Sequence, residues 1–556
     1  MAIYRTNTEL TRVYAAQFYF RTYVCGVKQL FGLNRDATSV WRSSLFAVRL
    51  AALVLASAAF SGVLFVTEPA GPGLEVSSSS YLGGAESLVA GHGFRIPTAA
   101  WNSPDSESTL THYPPGFSAA IAVPVAAGFP AVQAARLVEA LSAFVAMAAL
   151  LALVGDSAGA SAAVLFGLAL LITPALVDVH MSVLSEPLFL ACMALTLASM
   201  VATPNQPIVA GTCAAAALLV RYTGIGAVVA VVLWTSARRT DGRTWTTRVA
   251  LAAVPTVVLA IVGLVFAPGA AAPLIHRIAF HAGLGETIAS GGRTLAAWLV
   301  PTVSRPEWAA WVAVPVAIAA LTLVGIGARR VYRLWRLLPA DLPFHSSTNV
   351  PQLLAARVLA ATVLLAACYT ITLLAARVMA VEFLAFDARL MSPLIVLFSL
   401  AFAVAVGNWW RSAQRAARWT VAVALLVWGS ASVAVMRART HDALEFGTDL
   451  GHEAWRRSGL LEWVRADGNR RALYSNWPVL AYLYLGRPAR GLPETSDAST
   501  MHAFADTLAA RGGVVLAFAA RNSGYVPADS LLQTAGLRVL ATYPDGRVLG
   551  PEATTR

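Results

Sequence analysis

Charge is scarce in this chain, and lysine is almost missing. Only 13% of the 556 residues are charged, and Lys28 is the single lysine among 41 cations. So little charge beside 57% hydrophobic residues excludes an ordinary soluble domain and places the chain among polytopic membrane proteins. An arginine bias this complete reads as a coding habit, so an arginine is not a chemical choice merely by being there. Cysteine is also rare. Cys25, Cys192, Cys213 and Cys368 show no paired spacing, and three of them lie in apolar runs, which argues against a disulfide framework or a cysteine metal site. No basic patch is interleaved with aromatics, so the net charge of +12 gives no nucleic-acid partner and serves as a topology signal.

Long apolar runs are what the sequence has in quantity. A span needs roughly 20 apolar residues, and runs near 45–66, 133–153, 160–176, 185–202, 249–267, 309–327, 355–375, 391–407 and 418–436 qualify. The first reads as an uncleaved anchor, because it continues past Ala56-Ser57-Ala58 and follows a long leading segment. The run 207–236 is ambiguous. As one helix it would be about 45 Å long, and it carries Arg221-Tyr222-Thr223-Gly224 at its middle. Arginines cluster in the loops 237–248, 328–357 and 408–418, which the positive-inside rule assigns to the cytoplasm with the N-terminal segment 1–44. That parity holds if 207–220 and 224–236 are two short helices meeting on the outer side, giving about eleven spans. The rival threading makes 113–128 a span. It is disfavoured because that run is short and contains Pro114, Pro115 and Pro124.

This threading expects a membrane domain over 45–437 with a large outer loop at 67–132. From 438 to 556 the composition turns soluble, and runs such as "RALYSN", "GGVVLAFAA" and "GLRVLATYP" predict a small extracytoplasmic α/β domain.

Ionisable groups at membrane depth are costly and mark function by default. Under this topology Glu75, His112, Arg136, Asp178, His180, Glu186, Arg221, Glu382, Asp387 and Arg389 all fall at the outer ends of spans. Acids, histidines and arginines gathered on one face suit a cavity open to that side. It would hold an anionic headgroup, for which the arginine fork is well shaped. Each residue also has a plainer reading. Arg136 and Arg377 anchor helix ends, Asp178 and His180 belong to a solvated turn, and Ser185-Glu186 caps a helix. Asp387 and Arg389 form a local pair. Arg221 resists such a reading, because irregular backbone at membrane depth is tolerated only around a cavity or inside protein.

Several motifs stand in a recognisable order. They are "YLGGAESLVAGHGF" after the first span, "THYPPGFSAAIAVP", "AARLVEALSA", "SEPLF", "LLVRYTG", "FDARLMSP" and "LYSNWPVLAYLYLGRPARGLP". In this arrangement the chain resembles the GT-C superfamily of membrane glycosyltransferases, which includes the aminoarabinose and protein O-mannosyl transferases. The resemblance implies a polyprenyl-phosphate-linked sugar donor, a lipid, glycan or protein acceptor on the outer surface of the cell membrane, and inversion at the anomeric carbon. It implies a juxtamembrane helix at the Pro114-Pro115 motif, and a divalent cation as a possible cofactor. Relatives carry an acid where Ser77 or Ser78 stands, a few residues before Tyr81, and this chain has serines there with Glu75 just upstream. Three readings stay open: Glu75 replaces that acid, Glu186 or Asp178 does its work, or the chain is a non-catalytic member that binds lipid-linked sugar. A translocator of lipid-linked sugars is a further alternative. The expected catalytic residues are Glu75 and then Glu186. Ser77, Ser78, Tyr81, His112, Tyr113, Asp178, His180, Arg221, Tyr222, Asp387 and Arg389 are the expected substrate contacts.

Overall fold

The computed structural model describes residues 39–202, 206–237, 244–266, 284–302, 308–336, 351–379, 386–467, 471–520, 522 and 524–551. Its helices follow the apolar runs: α1 (Ser39–Val66), the outer-loop helices α2 (Val76–Val89) and α3 (Gly116–Ala126), then α4 (Ala131–Ala158), α5 (Ala160–Leu171), α6 (Pro174–Met181), α7 (Glu186–Val201), α8 (Pro207–Val220) and α9 (Ile225–Ala237). After them come α10 (Trp245–Phe266), α11 (Leu284–Leu299), α12 (Trp308–Arg336), α13 (Pro351–Met379), α14 (Ala388–Trp410) and α15 (Arg415–Phe446). Seven of these are individually long and apolar enough to cross a membrane, or eight if the bent pair α5 and α6 is one span. The eleven of the sequence-based threading also require α7, α8 and α9, which fall short of a full crossing by themselves.

Two departures from a simple bundle matter for the site. The run near 160–176 is not one straight span: α5 and α6 meet at 59°, with Pro174 opening the second helix. The run 207–236 is broken as expected, and Arg221 takes an extended conformation between α8 and a single 3-10 turn, Tyr222–Gly224. The Pro114-Pro115 segment leads into α3, an 11-residue helix of roughly 16 Å, too short to span.

Beyond the helices lies a six-stranded sheet of order β2 (Thr98–Ala99), β5 (Ala489–Gly491), β4 (Leu473–Ser475), β6 (Val514–Phe518), β8 (Gly546–Gly550) and β7 (Arg538–Tyr543). A two-residue pair, β1 (Arg95–Ile96) with β3 (Ser108–Thr109), stands apart from it. The predicted strands appear as β4, β6 and β7. β2 comes from the loop 67–132 and pairs in parallel with β5, while β8 joins β6 to β7. The sheet therefore stitches the loop 67–132 to the C-terminal residues. Tyr81, Phe117, Ile121 and Ala134 share one buried apolar cluster with Leu460, Leu473, Val514 and Val548, which carries the sheet on top of α2, α3 and α4.

Candidate active site

Three segments are laced together where the chain leaves the first apolar helix. Gly73 N–H donates to Met181 O at 2.8 Å, Val183 N–H donates to Gly73 O at 2.8 Å, and Leu450 N–H donates to Leu74 O at 2.7 Å. Residues 73–75 thus run as a short extended strip between the end of α6 and the turn after α15. Glu75 follows as the N-cap of α2. Its own N–H donates to Ser78 Oγ (2.8 Å), and that hydroxyl donates to Val183 O (2.8 Å). Ser78 is a latch between two backbone segments, and Ser77 is buried beside it, its hydroxyl without a hydrogen-bond partner among the described residues. Gly83 lets α2 lie against Pro97, where a Cβ would collide with the proline ring.

The charged groups converge below this strip. Glu186, 1% exposed at the first position of α7, receives Arg221 Nη1 at 2.5 Å and Arg389 Nε at 2.8 Å on the same oxygen, Oε1. Arg389 turns its Nη1 to Glu75 Oε2. Ser185 Oγ accepts from Arg221 Nη1 (3.1 Å) and from the Tyr81 hydroxyl (3.2 Å). Tyr81 packs on Tyr113 and Phe117, each with ring centroids 5.0 Å away, and His112 lies edge-on to Tyr113 at 4.6 Å. A buried carboxylate persists only when paired, and here one carboxylate holds two guanidiniums whose planar forks suit phosphate oxygens.

Arg389 is aimed by its surroundings. Asp387 caps α14, its Oδ1 accepting Leu390 N–H at 3.0 Å. Phe386 is clamped to α11 by Thr294 Oγ1 donating to its carbonyl (2.7 Å) and by its N–H donating to Ser290 Oγ (3.1 Å).

Above the network opens a cavity of about 300 Å³, at the small end of ligand pockets. Its lining includes Glu75, Asp178, Ser182, Arg389, Thr448 and Asp449. Burial pushes the Glu75 carboxyl up to about 7 against the opposing pull of Arg389, and the nearby acids Asp449, Glu186 and Asp387 push the same way.

Not every expected residue joins the network. Asp178 lines the cavity but is paired with Arg439 of α15. His180 makes a 2.7 Å contact through Nδ1 with Leu176 O in its own helix, one turn back. Tyr222 lies on the 3-10 turn beside Arg221. Asp387 acts as a helix cap. Arg136 ties down the end of α1 through Leu64 O, Thr67 Oγ1 and Glu68, each at 2.9 Å. Glu382 lies outside the described residues.

Four residues of the site are absent from the expected set. Ser185 bridges Tyr81 and Arg221. Tyr369 is fully buried and donates to Leu390 O at 2.9 Å, beneath Arg389. Glu139 is buried in α4 and accepts Leu184 N–H at 2.8 Å, which fixes the strip before Glu186. A glutamate inside the apolar "AARLVEALSA" was the available signal for it. Asp449 had none, since it sits in a stretch of ordinary soluble composition. Among the described residues, no group of three or more His, Cys, Asp or Glu is arranged to hold a metal ion.

No protein-family model and no curated protein matches the sequence. Solved structures do match in shape. ArnT from Cupriavidus metallidurans, crystallised bound to undecaprenyl phosphate, aligns with a TM-score of 0.52 at 16% identity, covering 90% of this chain and 98% of its own. The arabinofuranosyltransferase AftD from Mycobacteria, a cryo-EM structure, aligns with a TM-score of 0.51 at 15% identity, covering 93% of this chain and 42% of its own. With its apolar helices, the helices of its loop 67–132 and its small C-terminal sheet, the chain has the fold of the GT-C membrane glycosyltransferases.

Proposed function

We propose that this chain is an inverting glycosyltransferase that moves a sugar from a polyprenyl-phosphate donor to an acceptor hydroxyl on the outer face of the cell membrane. Its N-terminus lies in the cytoplasm and its C-terminal domain outside. The observation that carries this reading is the pairing of Arg221 and Arg389 on Glu186, with Glu75 reached from the same Arg389 at the mouth of the cavity. That an ArnT of the same fold was solved with undecaprenyl phosphate supports a lipid-phosphate donor here.

The chemistry follows from the charges. Arg221 and Arg389 bind the phosphate and stabilise the negative charge that grows on it as the anomeric C–O bond breaks. A phosphate leaves with its electron pair without needing a general acid. The acceptor oxygen attacks the opposite face of the anomeric carbon and its proton passes to Glu75, which a carboxyl poised near 7 does well at neutral pH. Opposite-face attack inverts the configuration.

Two observations weigh against the rivals. Ser78 is engaged in backbone hydrogen bonds while Glu75 supplies a carboxylate to the cavity, which favours a working enzyme over a member that has lost its base. Glu186, Arg221 and Arg389 gather at helix ends and not at mid-helix, whereas translocator sites lie near mid-membrane.

The test is turnover of a panel of labelled polyprenyl-phosphate sugars by the purified protein in lipid. Release of polyprenyl phosphate is the expected result. Binding of donors with no release from any of them would make the chain a lipid-sugar binding protein, and absence of both overturns the reading.

A further inference from the structure

The network is balanced before any substrate arrives, with Arg221 and Arg389 against Glu186 and Glu75. Arg389 works against the proposed chemistry at Glu75, because a guanidinium favours the charged carboxylate and pulls the carboxyl down against the effect of burial. A third acid stands in the same cavity. Asp449 follows α15 in the turn Gly447–Gly451, and its φ of 54° makes it the one non-glycine residue with a positive φ among the described residues. A non-glycine residue in that conformation is strained and persists where its surroundings impose it, often at functional sites. Here they do. Leu74 and Asp449 form a parallel bridge, Leu450 N–H donates to Leu74 O, and Ser182 hydrogen-bonds the Asp449 side chain. These contacts bring a residue from beyond the last span to the residue next to Glu75.

We propose that Asp449 is a positioning residue of the transfer, the carboxylate that offsets Arg389 at Glu75 and leaves Glu75 able to take the proton of an acceptor hydroxyl. The proposal rests on the glycosyl-transfer reading. In that step the acceptor O–H bond breaks, its proton goes to a Glu75 carboxylate oxygen, and the acceptor oxygen bonds to the anomeric carbon. The anomeric bond to the phosphate oxygen breaks with its electron pair going to the phosphate. Asp449 exchanges no atom. Glu75 is faced by Arg389 and Asp387 at the start of α14, by Glu186 of α7 and by Asp449 of the turn, with Asp178 of α6 in the same cavity wall and itself paired to Arg439 of α15. Among the anionic neighbours Asp449 weighs most. The turn after the last span is on this account part of the active site.

The experiment follows Glu75 directly, without turnover. Infrared spectra of the full-length protein in lipid nanodiscs are recorded from pH 5 to 9, with Glu75→Gln identifying the Glu75 carboxyl band. The wild-type band should titrate with a midpoint near 7. In Asp449→Asn the midpoint should fall by about one unit, and Asp449→Glu should restore it. Ser182→Ala, which removes a hydrogen bond that favours the charged form of Asp449, should move it the same way by less. If Asp449→Asn does not fold, Ser182→Ala decides alone. A midpoint unmoved in the variants that fold overturns the proposal, and a purely structural role for Asp449 predicts that outcome. Release of lipid phosphate from a labelled polyprenyl-phosphate sugar is measured in parallel. If the wild type turns over no donor, glycosyl transfer is refuted, while the midpoints still decide whether Asp449 governs Glu75.

Discussion

Arg389 donates through Nε to Oε1 of Glu186, 2.8 Å away and 203 positions earlier in the chain. Glu186 is enclosed and also holds Arg221, so removing its charge leaves two guanidiniums facing each other. Losing one partner of a buried pair costs about 3–5 kcal/mol. Glu186→Ala is therefore expected to lower thermal stability by that amount and to abolish donor turnover. Glu186→Gln keeps the shape, and should lose turnover with a smaller loss of stability. Thermal unfolding in lipid beside a donor-release assay separates the two.

Arg221 and Arg389 each hold two partners. Arg221 spends Nη1 on Glu186 and Ser185, and Arg389 spends Nε and Nη1 on Glu186 and Glu75. Lysine is a point charge without the planar fork. Arg221→Lys and Arg389→Lys should each raise KM for the lipid donor by about tenfold or more, the equivalent of about 1.4 kcal/mol. Unchanged KM in both variants would place the phosphate elsewhere.

Glu75 gives the pH dependence a sign. Its carboxyl is raised from 4.5 to about 7 by burial, so the base is charged only above that range and activity should rise with pH through a midpoint near 7. For stability the direction is opposite. The folded state binds the proton more tightly than the unfolded one, so this group's contribution is fully present below pH 4.5 and is lost as pH rises toward 7. Glu75→Gln should remove that slope in unfolding measurements and remove the activity limb with it.

The serines of the first outer loop have a structural part. Ser78 joins Glu75 N–H to Val183 O, and an unpaired buried backbone group costs about 1–3 kcal/mol. Ser78→Ala should destabilise the protein by about that much while leaving the pH midpoint of activity near 7. Ser78→Asp should not rescue Glu75→Gln, because position 78 faces Val183.

What could be read from the sequence was whatever depends on hydrophobic periodicity and local punctuation. The helices follow the apolar runs because burying them needs no partner to be named in advance. The break at Arg221 was visible because 207–236 is too long for a span and carries a charge at its centre. The pairing of "SEPLF", "RYTG" and "FDARL" on one face followed from topology, and Glu186, Arg221 and Arg389 do meet. The 59° bend before Asp178 was not legible, since Pro174 at a helix start and Pro393 inside a helix look alike in sequence. Strand β2 has two residues and exists through its pairing with β5, far along the chain. Asp449 depends on a left-handed turn and on backbone bonds from Leu74, and neither leaves a local signature.

The most direct test of the central claim is lipid-phosphate release from a labelled polyprenyl-phosphate sugar by the wild type, Glu75→Gln and the double variant Glu75→Gln/Glu186→Gln. The account predicts release by the wild type, a fall of about a hundredfold or more on loss of the base, and none detectable in the double variant. Release by the double variant at the wild-type rate would contradict it.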